Sequence, residues 1–120
     1  DVLKNKTGEK IISVKSTETV KKTITIMKTN DISQVLVVDK NKLLGKVNES
    51  QLLQGLYSRK IGPSNSVKAI IDENVQSVPE NESIDRVSEL LTLDNLVVVT
   101  DRNTKPIGVI TRIDLIAYYS

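Results

Sequence analysis

The sequence predicts an α+β fold made of two tandem copies of a β-α-β-β-α unit. Residues 12–56 and 76–119 show the same order of apolar and polar segments, with offsets of 62 to 64 residues between matching positions. In each copy an amphipathic segment with helical spacing precedes a short, almost fully apolar run, VLVV or LVVV. An internal duplication accounts for both observations.

The first repeat begins with an extended segment at 12–15, followed by a helix in which Val20, Ile24 and Met27 recur on one face. The apolar run at 35–38 predicts a strand buried on both faces. The turn formers DKNK lead to a second strand containing Gly45, and a helix over about 49–56 closes the repeat.

The second repeat follows the same plan. An extended segment at 76–79 precedes a helix that carries Ile84, Val87, Leu90 and Leu91 on one face. The run at 96–99 is the buried strand, and DRNTKP is the turn. A strand with Gly108 then leads into a helix over about 112–119.

Between the repeats lies a structured connector. Gly62-Pro63 breaks the chain, and Ser66 can cap a short helix carrying Val67 and Ile70. A unit of about 45 residues is too small to bury a core alone, so we expect the repeats to pack as one pseudo-two-fold domain with clefts between them. The predicted bounds are 11–56, 57–74 and 75–120.

Composition argues against several classes of function. The chain has neither cysteine nor histidine, so we predict no disulfide, no metal site and no catalytic residues. We expect no nucleic-acid partner, because the net charge is only +2 and the lysines are not interleaved with aromatic residues. The polar N-terminus and the lack of a long apolar run predict a cytoplasmic domain with no membrane partner. Since the first residue is Asp1, we expect an excised or processed chain.

Thr111-x-x-Asp114 has two interpretations. As a capping box, Thr111 accepts from an N–H of the first helical turn while Asp114 interacts favourably with the macrodipole. Asn48 and Gln51 fit the same rule in the first repeat. Alternatively, the hydroxyl and carboxylate hold a sugar diol, which the strand glycine would allow to come close. Spacing alone leaves both interpretations open.

The duplicated unit, closed by G-x-hydrophobic-T-x-x-D, resembles the CBS-domain pair, or Bateman module. The segments KIGPSNSVKAII, LTLDNLVVV and GVITRIDLI look most like the C-terminal regulatory domain of cystathionine β-synthase. That resemblance implies a non-catalytic module attached to the pyridoxal-phosphate core of a lyase, acting in transsulfuration and cysteine biosynthesis. S-adenosylmethionine would be its allosteric ligand, and the module itself would hold no cofactor.

The resemblance also implies a ligand site between the repeats. Thr111 and Asp114 would take the ribose hydroxyls, with Val109 and Ile113 flanking the nucleoside. The segments lining adenine and the methionine part would supply Ile11, Ile12, Ile32, Ser33, Gln34 and Val35. The family often has an acid where Ser33 stands, which leaves the choice of ligand open.

A second cleft would lack a carboxylate for the diol, so we predict that it binds weakly or not at all. Its residues would be Gln76, Ser77, Asn95, Leu96, Asn48 and Gln51. Arg112, Lys46 and Arg102 are interpreted first as solvated surface, although a cation facing the cleft would favour phosphate.

Two other functions remain open: an AMP- or ATP-sensing pair from another protein, such as a transporter or dehydrogenase, and a dimerisation module without ligand. Residues 1–60 carry twelve basic and six acidic residues, whereas residues 61–120 carry five and nine. CBS modules pair as flat dimers, and a head-to-tail homodimer would place these oppositely charged halves together.

Overall fold

The computed structural model describes residues 3, 6, 7 and 10–120. The chain divides into two compact units, Ile12–Asn74 and Asp1–Ile11 with Val75–Ser120. The first-repeat unit therefore contains the first repeat and the connector. The second-repeat unit contains the second repeat together with residues that precede the first one.

The first-repeat unit has a three-stranded sheet in the order β1-β2-β3, with β1 parallel and β3 antiparallel to β2. Its elements are β1 (Ser13–Val14), α1 (Val20–Asn30), β2 (Gln34–Asp39), β3 (Lys42–Asn48), α2 (Glu49–Tyr57) and a 3₁₀ helix (Val67–Ile70). The 3₁₀ helix is the short helix expected in the connector, and the hydroxyl of Ser66 caps it by accepting from the Lys68 N–H.

Local sequence explains the ends of these elements. The Thr19 hydroxyl caps α1 by accepting from the Lys22 N–H at 3.1 Å. Lys40 and Asn41 both have positive φ, 51° and 65°, between the paired residues Asp39 and Lys42. This is the backbone of a two-residue hairpin turn whose twist matches that of the strands.

The second-repeat unit repeats this arrangement. Its sheet has the order β4-β5-β6, again with one parallel and one antiparallel pair. Its elements are β4 (Ser77–Pro79), α3 (Ile84–Leu93), β5 (Leu96–Thr100), β6 (Pro106–Thr111) and α4 (Arg112–Tyr119). The predicted α+β fold with two β-α-β-β-α repeats is thus confirmed.

Aliphatic side chains form the core of each unit. In β2, Val35 and Val37 belong to the first core, together with Val20 and Met27 of α1. In β5, Val97 and Val99 belong to the second core, together with Val87 of α3. Leu36, Leu96 and Val98 are also buried. The expected burial is confirmed for the whole run 96–99 and for 35–37, whereas Val38 at the end of the first run is only half-buried.

A glycine in the last strand of each sheet lies under another segment of the chain. A Cβ on Gly45 would overlap the Asp72 carbonyl oxygen and lie 2.6 Å from Ile71 Cγ2. A Cβ on Gly108 would lie 2.7 Å from the Lys6 carbonyl oxygen. Both units therefore contain backbone at the place where the strand glycine was expected to let a ligand come close.

No helix in the described part of the chain is long and apolar enough to cross a membrane.

Candidate functional site

Thr111 and Asp114 lie at the junction of β6 and α4. Thr111 has an extended backbone, with φ −111° and ψ 170°, and is the N-cap of the helix. Its N–H donates to Asp114 Oδ2 at 2.8 Å, and its hydroxyl donates to the same oxygen at 3.1 Å. The carboxylate accepts both hydrogen bonds, as the N3 residue of a capping box does, whereas the Thr111 hydroxyl donates to it and makes no cap hydrogen bond with a first-turn N–H.

A third residue joins this pair from the beginning of the chain. Lys6 Nζ lies 3.4 Å from Oδ1 and 3.4 Å from Oδ2 of Asp114. The side chains of Lys6 and Asp114 are 21% and 22% exposed. The contact spans 108 residues and belongs to no local motif, so the sequence prediction did not include Lys6.

The chemistry of this cluster is that of an anionic acceptor at a helix start. A carboxylate has about four lone-pair positions and no proton to donate at neutral pH. The negative charge of Asp114 interacts favourably with the positive end of the α4 macrodipole. Asp114 can therefore accept from two neighbouring hydroxyls at once, which suits a vicinal diol.

The corresponding position of the first repeat is neutral. The Asn48 N–H donates to Gln51 Oε1 at 2.9 Å, and the Gln51 N–H donates to Asn48 Oδ1 at 2.9 Å. This reciprocal capping box at the start of α2 confirms the predicted cap. The two repeats therefore share a cap, but only the second has a carboxylate in it.

Within each unit, the described contacts bring together residues that we assigned to different clefts. In the first-repeat unit, the Ser33 carbonyl accepts from the Glu49 N–H at 3.1 Å, and Gln34 pairs with Asn48. In the second-repeat unit, Leu96 pairs with Thr111. The association of Thr111 and Asp114 with 32–35 involves both units and stays a prediction.

The remaining predicted residues in the second-repeat unit differ in exposure. Gln76 accepts through its carbonyl from the Val98 N–H at 2.9 Å, and Ser77 pairs with Val98. Ser77, Asn95 and Ile113 are exposed, whereas Ile11, Gln76 and Val109 are half-buried. The Leu96 side chain is buried, so a ligand could reach only its main chain without repacking the unit.

In the first-repeat unit, Ile12 and Ile32 are half-buried against the core. Val35 is 2% exposed and belongs to that core, which leaves its main chain as the part that a ligand could approach. Ser33 is exposed. The neighbouring Asp31 is also exposed and ends α1 in the left-handed conformation, with φ 51°.

The cations considered for phosphate have three different environments. Lys46 is only 6% exposed, so its interpretation as solvated surface is wrong: β3 carries it into the interior, where its backbone pairs with Asp72. Arg112 is exposed, but its Nε donates to the Leu91 carbonyl at 2.7 Å. Arg102 is exposed in the turn between β5 and β6.

A second carboxylate is held by hydrogen bonds in the first-repeat unit. The N–H and hydroxyl of Ser16 donate to Oδ1 and Oδ2 of Asp39, at 2.9 and 2.5 Å. These two bonds lower the pKa of Asp39 below its ordinary value. The contact joins the segment after β1 to the end of β2, which is a structural role.

Several cavities also lie in the first-repeat unit. One of about 460 Å³ separates α2 from the connector, and its lining includes Gln51, Ile61 and Ile71. Another of about 310 Å³ includes Ser16, Asp39 and Lys68. Among the described residues, no group of three or more acidic side chains has the arrangement of a metal site.

The comparisons with known proteins agree with this architecture. A model of the CBS domain family matches residues 7–58 and 67–120. A CBS-domain protein from Burkholderia ambifaria is 27% identical, with a TM-score of 0.80, over 98% of this chain and 90% of that one.

Two further solved structures hold ligands. The CBS domain pair of protein MJ0100, in complex with 5′-methylthioadenosine and S-adenosylmethionine, is 21% identical with a TM-score of 0.81. That match covers 99% of this chain and 95% of the other. CBSX2, in complex with AMP, is 23% identical with a TM-score of 0.76, over 91% of this chain and 87% of that one.

Proposed function

The chain belongs to the CBS domain family, and from this premise we propose that it is a regulatory module that senses an adenosyl ligand, with Asp114 binding the ribose diol. One observation carries the proposal: a half-buried carboxylate, oriented by two hydrogen bonds from Thr111, lies at the start of α4. The proposed site is completed by the residues of the first repeat assigned above, and the module acts in the cytoplasm.

The difference between the repeats supports a single strong site. Asn48 and Gln51 keep the cap of α2 but satisfy each other's polar groups and carry no charge. A hydrogen bond to a charged acceptor contributes about 1.5–3 kcal/mol, against about 1 kcal/mol for a neutral one. A diol would therefore bind at Asp114 in preference to the first-repeat position.

The finer proposal is that the ligand is S-adenosylmethionine and that the module controls the core of a cystathionine β-synthase. The three resembling segments around 60–71, 91–99 and 108–116 support it. Pyridoxal phosphate would belong to that core and not to this chain. AMP and ATP are the alternative ligands, since the ligands bound to MJ0100 and to CBSX2 have only the adenosyl part in common.

Regulation would follow from differential binding. A ligand held by groups from both repeats favours whichever arrangement of the repeats brings those groups together. The resulting coupling to an attached domain can be no larger than the difference in affinity between the two arrangements.

Calorimetry with S-adenosylmethionine, AMP and ATP tests this proposal. We expect one of them to bind at one site per chain, and Asp114→Asn to weaken that binding at least ten-fold. Glu49→Gln is a matched control, because it removes an exposed carboxylate from the first turn of α2. Equal loss in both variants, or no loss in Asp114→Asn, would refute the role of Asp114.

A homodimerisation module is a second candidate function. Ile113, Ile116 and Tyr119 of α4 are 67%, 58% and 62% exposed, and Leu93 at the end of α3 is 82% exposed. Apolar side chains of this size, when adjacent on a helix, favour contact with another protein surface. Sedimentation velocity should show a dimer that Ile116→Glu dissociates, and a monomeric parent chain would refute this candidate.

A further inference from the structure

The backbone of Lys6 and Thr7 packs against Gly108 of β6, which places Lys6 near Asp114. The Lys6 carbonyl oxygen lies 2.7 Å from the position that a Cβ on Gly108 would occupy, and Thr7 Cα lies 3.3 Å from the same point. Lys6 and Thr7 therefore pack directly on β6, at a glycine six residues before Asp114 in the sequence. The Lys6 ammonium lies at 3.4 Å from both carboxylate oxygens in a partly buried environment.

Among the described residues, Thr111 and Lys6 contact the carboxylate of Asp114. The Thr111 N–H and hydroxyl both donate to Oδ2, which uses two of about four positions. The Lys6 ammonium lies 3.4 Å from each of the two carboxylate oxygens, including Oδ1, to which Thr111 does not donate. A vicinal diol needs two acceptor positions, and those left by Thr111 are the ones that Lys6 approaches.

We propose that the Lys6 ammonium competes with a ligand's diol for the Asp114 carboxylate and so lowers the affinity of this site for the diol. This inference rests on the proposed function, because it takes Asp114 as the diol-binding group. A diol that binds Asp114 displaces the ammonium, and the displacement reaches the segment that precedes the first repeat. Ligand binding at α4 is thereby coupled to the N-terminal segment.

Neutral adenosine is the probe that separates competition from charge attraction. Calorimetry would compare the parent chain with Lys6→Met, which keeps most of the aliphatic stem, and with Lys6→Arg, which keeps the charge. Lys105→Met is the matched control, since it removes a lysine from the exposed turn between β5 and β6. Loss of an ion pair of this exposure predicts about two- to five-fold tighter adenosine binding by Lys6→Met.

Salt gives an independent readout. Screening weakens the Lys6–Asp114 ion pair, so adenosine should bind the parent chain and Lys6→Arg several-fold more tightly at about 0.5 M than at 0.05 M salt. The affinity of Lys6→Met should not change with salt. Unchanged or weaker binding by Lys6→Met overturns the competition, because Lys6 then either plays no part or supports the ligand.

The two proposals fail in different ways. If Asp114→Asn weakens adenosine binding while Lys6→Met does not tighten it, only the competition is refuted. If Asp114→Asn binds adenosine as well as the parent chain does, the diol anchor itself is refuted. Absence of adenosine binding to both the parent chain and Lys6→Met at millimolar concentration refutes both.

Discussion

Replacing Gly45 by Ala tests whether backbone contact holds the connector on the first-repeat sheet. The new Cβ would overlap the Asp72 carbonyl and lie 2.6 Å from Ile71 Cγ2, well inside van der Waals contact. Relief requires the connector to move away, which breaks the two backbone hydrogen bonds between Lys46 and Asp72, both 2.9 Å long.

The structure sets the size of the effect. Two backbone hydrogen bonds contribute about 2 kcal/mol net, and overpacking costs about 1–3 kcal/mol. Alanine recovers about 0.5–1 kcal/mol by restricting the unfolded chain. We therefore expect Gly45→Ala to lower the free energy of unfolding by about 2–4 kcal/mol.

Urea unfolding followed by circular dichroism measures this loss as a fall of about 1–2 M in the midpoint. Gly62→Ala is the control, because a Cβ there would meet only Asn65 Oδ1 at 3.6 Å, an ordinary contact. The free energy of unfolding of Gly62→Ala should lie within about 0.5 kcal/mol of that of the parent chain. Equal midpoints for the two variants would refute the close docking of the connector at Gly45.

Two further predictions concern single side chains. Thr104 is a β-branched residue with φ 64°, a conformation that asparagine tolerates better. Thr104→Asn should therefore raise the melting temperature by about 3 °C. The control Thr17→Asn, at an exposed position, should leave the melting temperature unchanged. The lowered pKa of Asp39 means that its carboxylate stabilises the native state at pH values above 3.8, the ordinary pKa. This contribution is lost as the pH falls through the lower pKa of the native state. Ser16→Ala should therefore destabilise the chain at pH 7, and the difference from the parent chain in urea midpoint should shrink as the pH falls below 3.8. A difference that stays constant with pH would contradict this reasoning.

Local patterns were sufficient to predict the elements of the fold. The helical spacing of Val20 and Met27 predicted α1, and the apolar runs predicted β2 and β5, because these signals depend on residues that are near in sequence. The Ser66 cap predicted the start of a helix in the connector, which is a 3₁₀ helix and not an α-helix. The likeness of the two repeats then predicted two similar sheets.

Contacts between distant segments could not be predicted in this way. Lys6 reaches Asp114 across 108 residues, and the burial of Lys46 depends on where the connector lies. Polar side chains carry no periodic signal that shows which of them a folded chain brings together. The cap at the start of α4 could be predicted from the spacing of Thr111 and Asp114, whereas the ion pair between Asp114 and Lys6 could not.

The most direct test of Asp114 as a diol anchor is a cycle of four affinities, measured by calorimetry. Adenosine and 2′,3′-dideoxyadenosine are compared on the parent chain and on Asp114→Asn, so that effects unrelated to the diol cancel. We expect the parent chain to bind adenosine at least ten-fold more tightly than 2′,3′-dideoxyadenosine, and Asp114→Asn to bind the two nucleosides nearly equally. Equal binding of the two nucleosides by the parent chain would contradict this expectation.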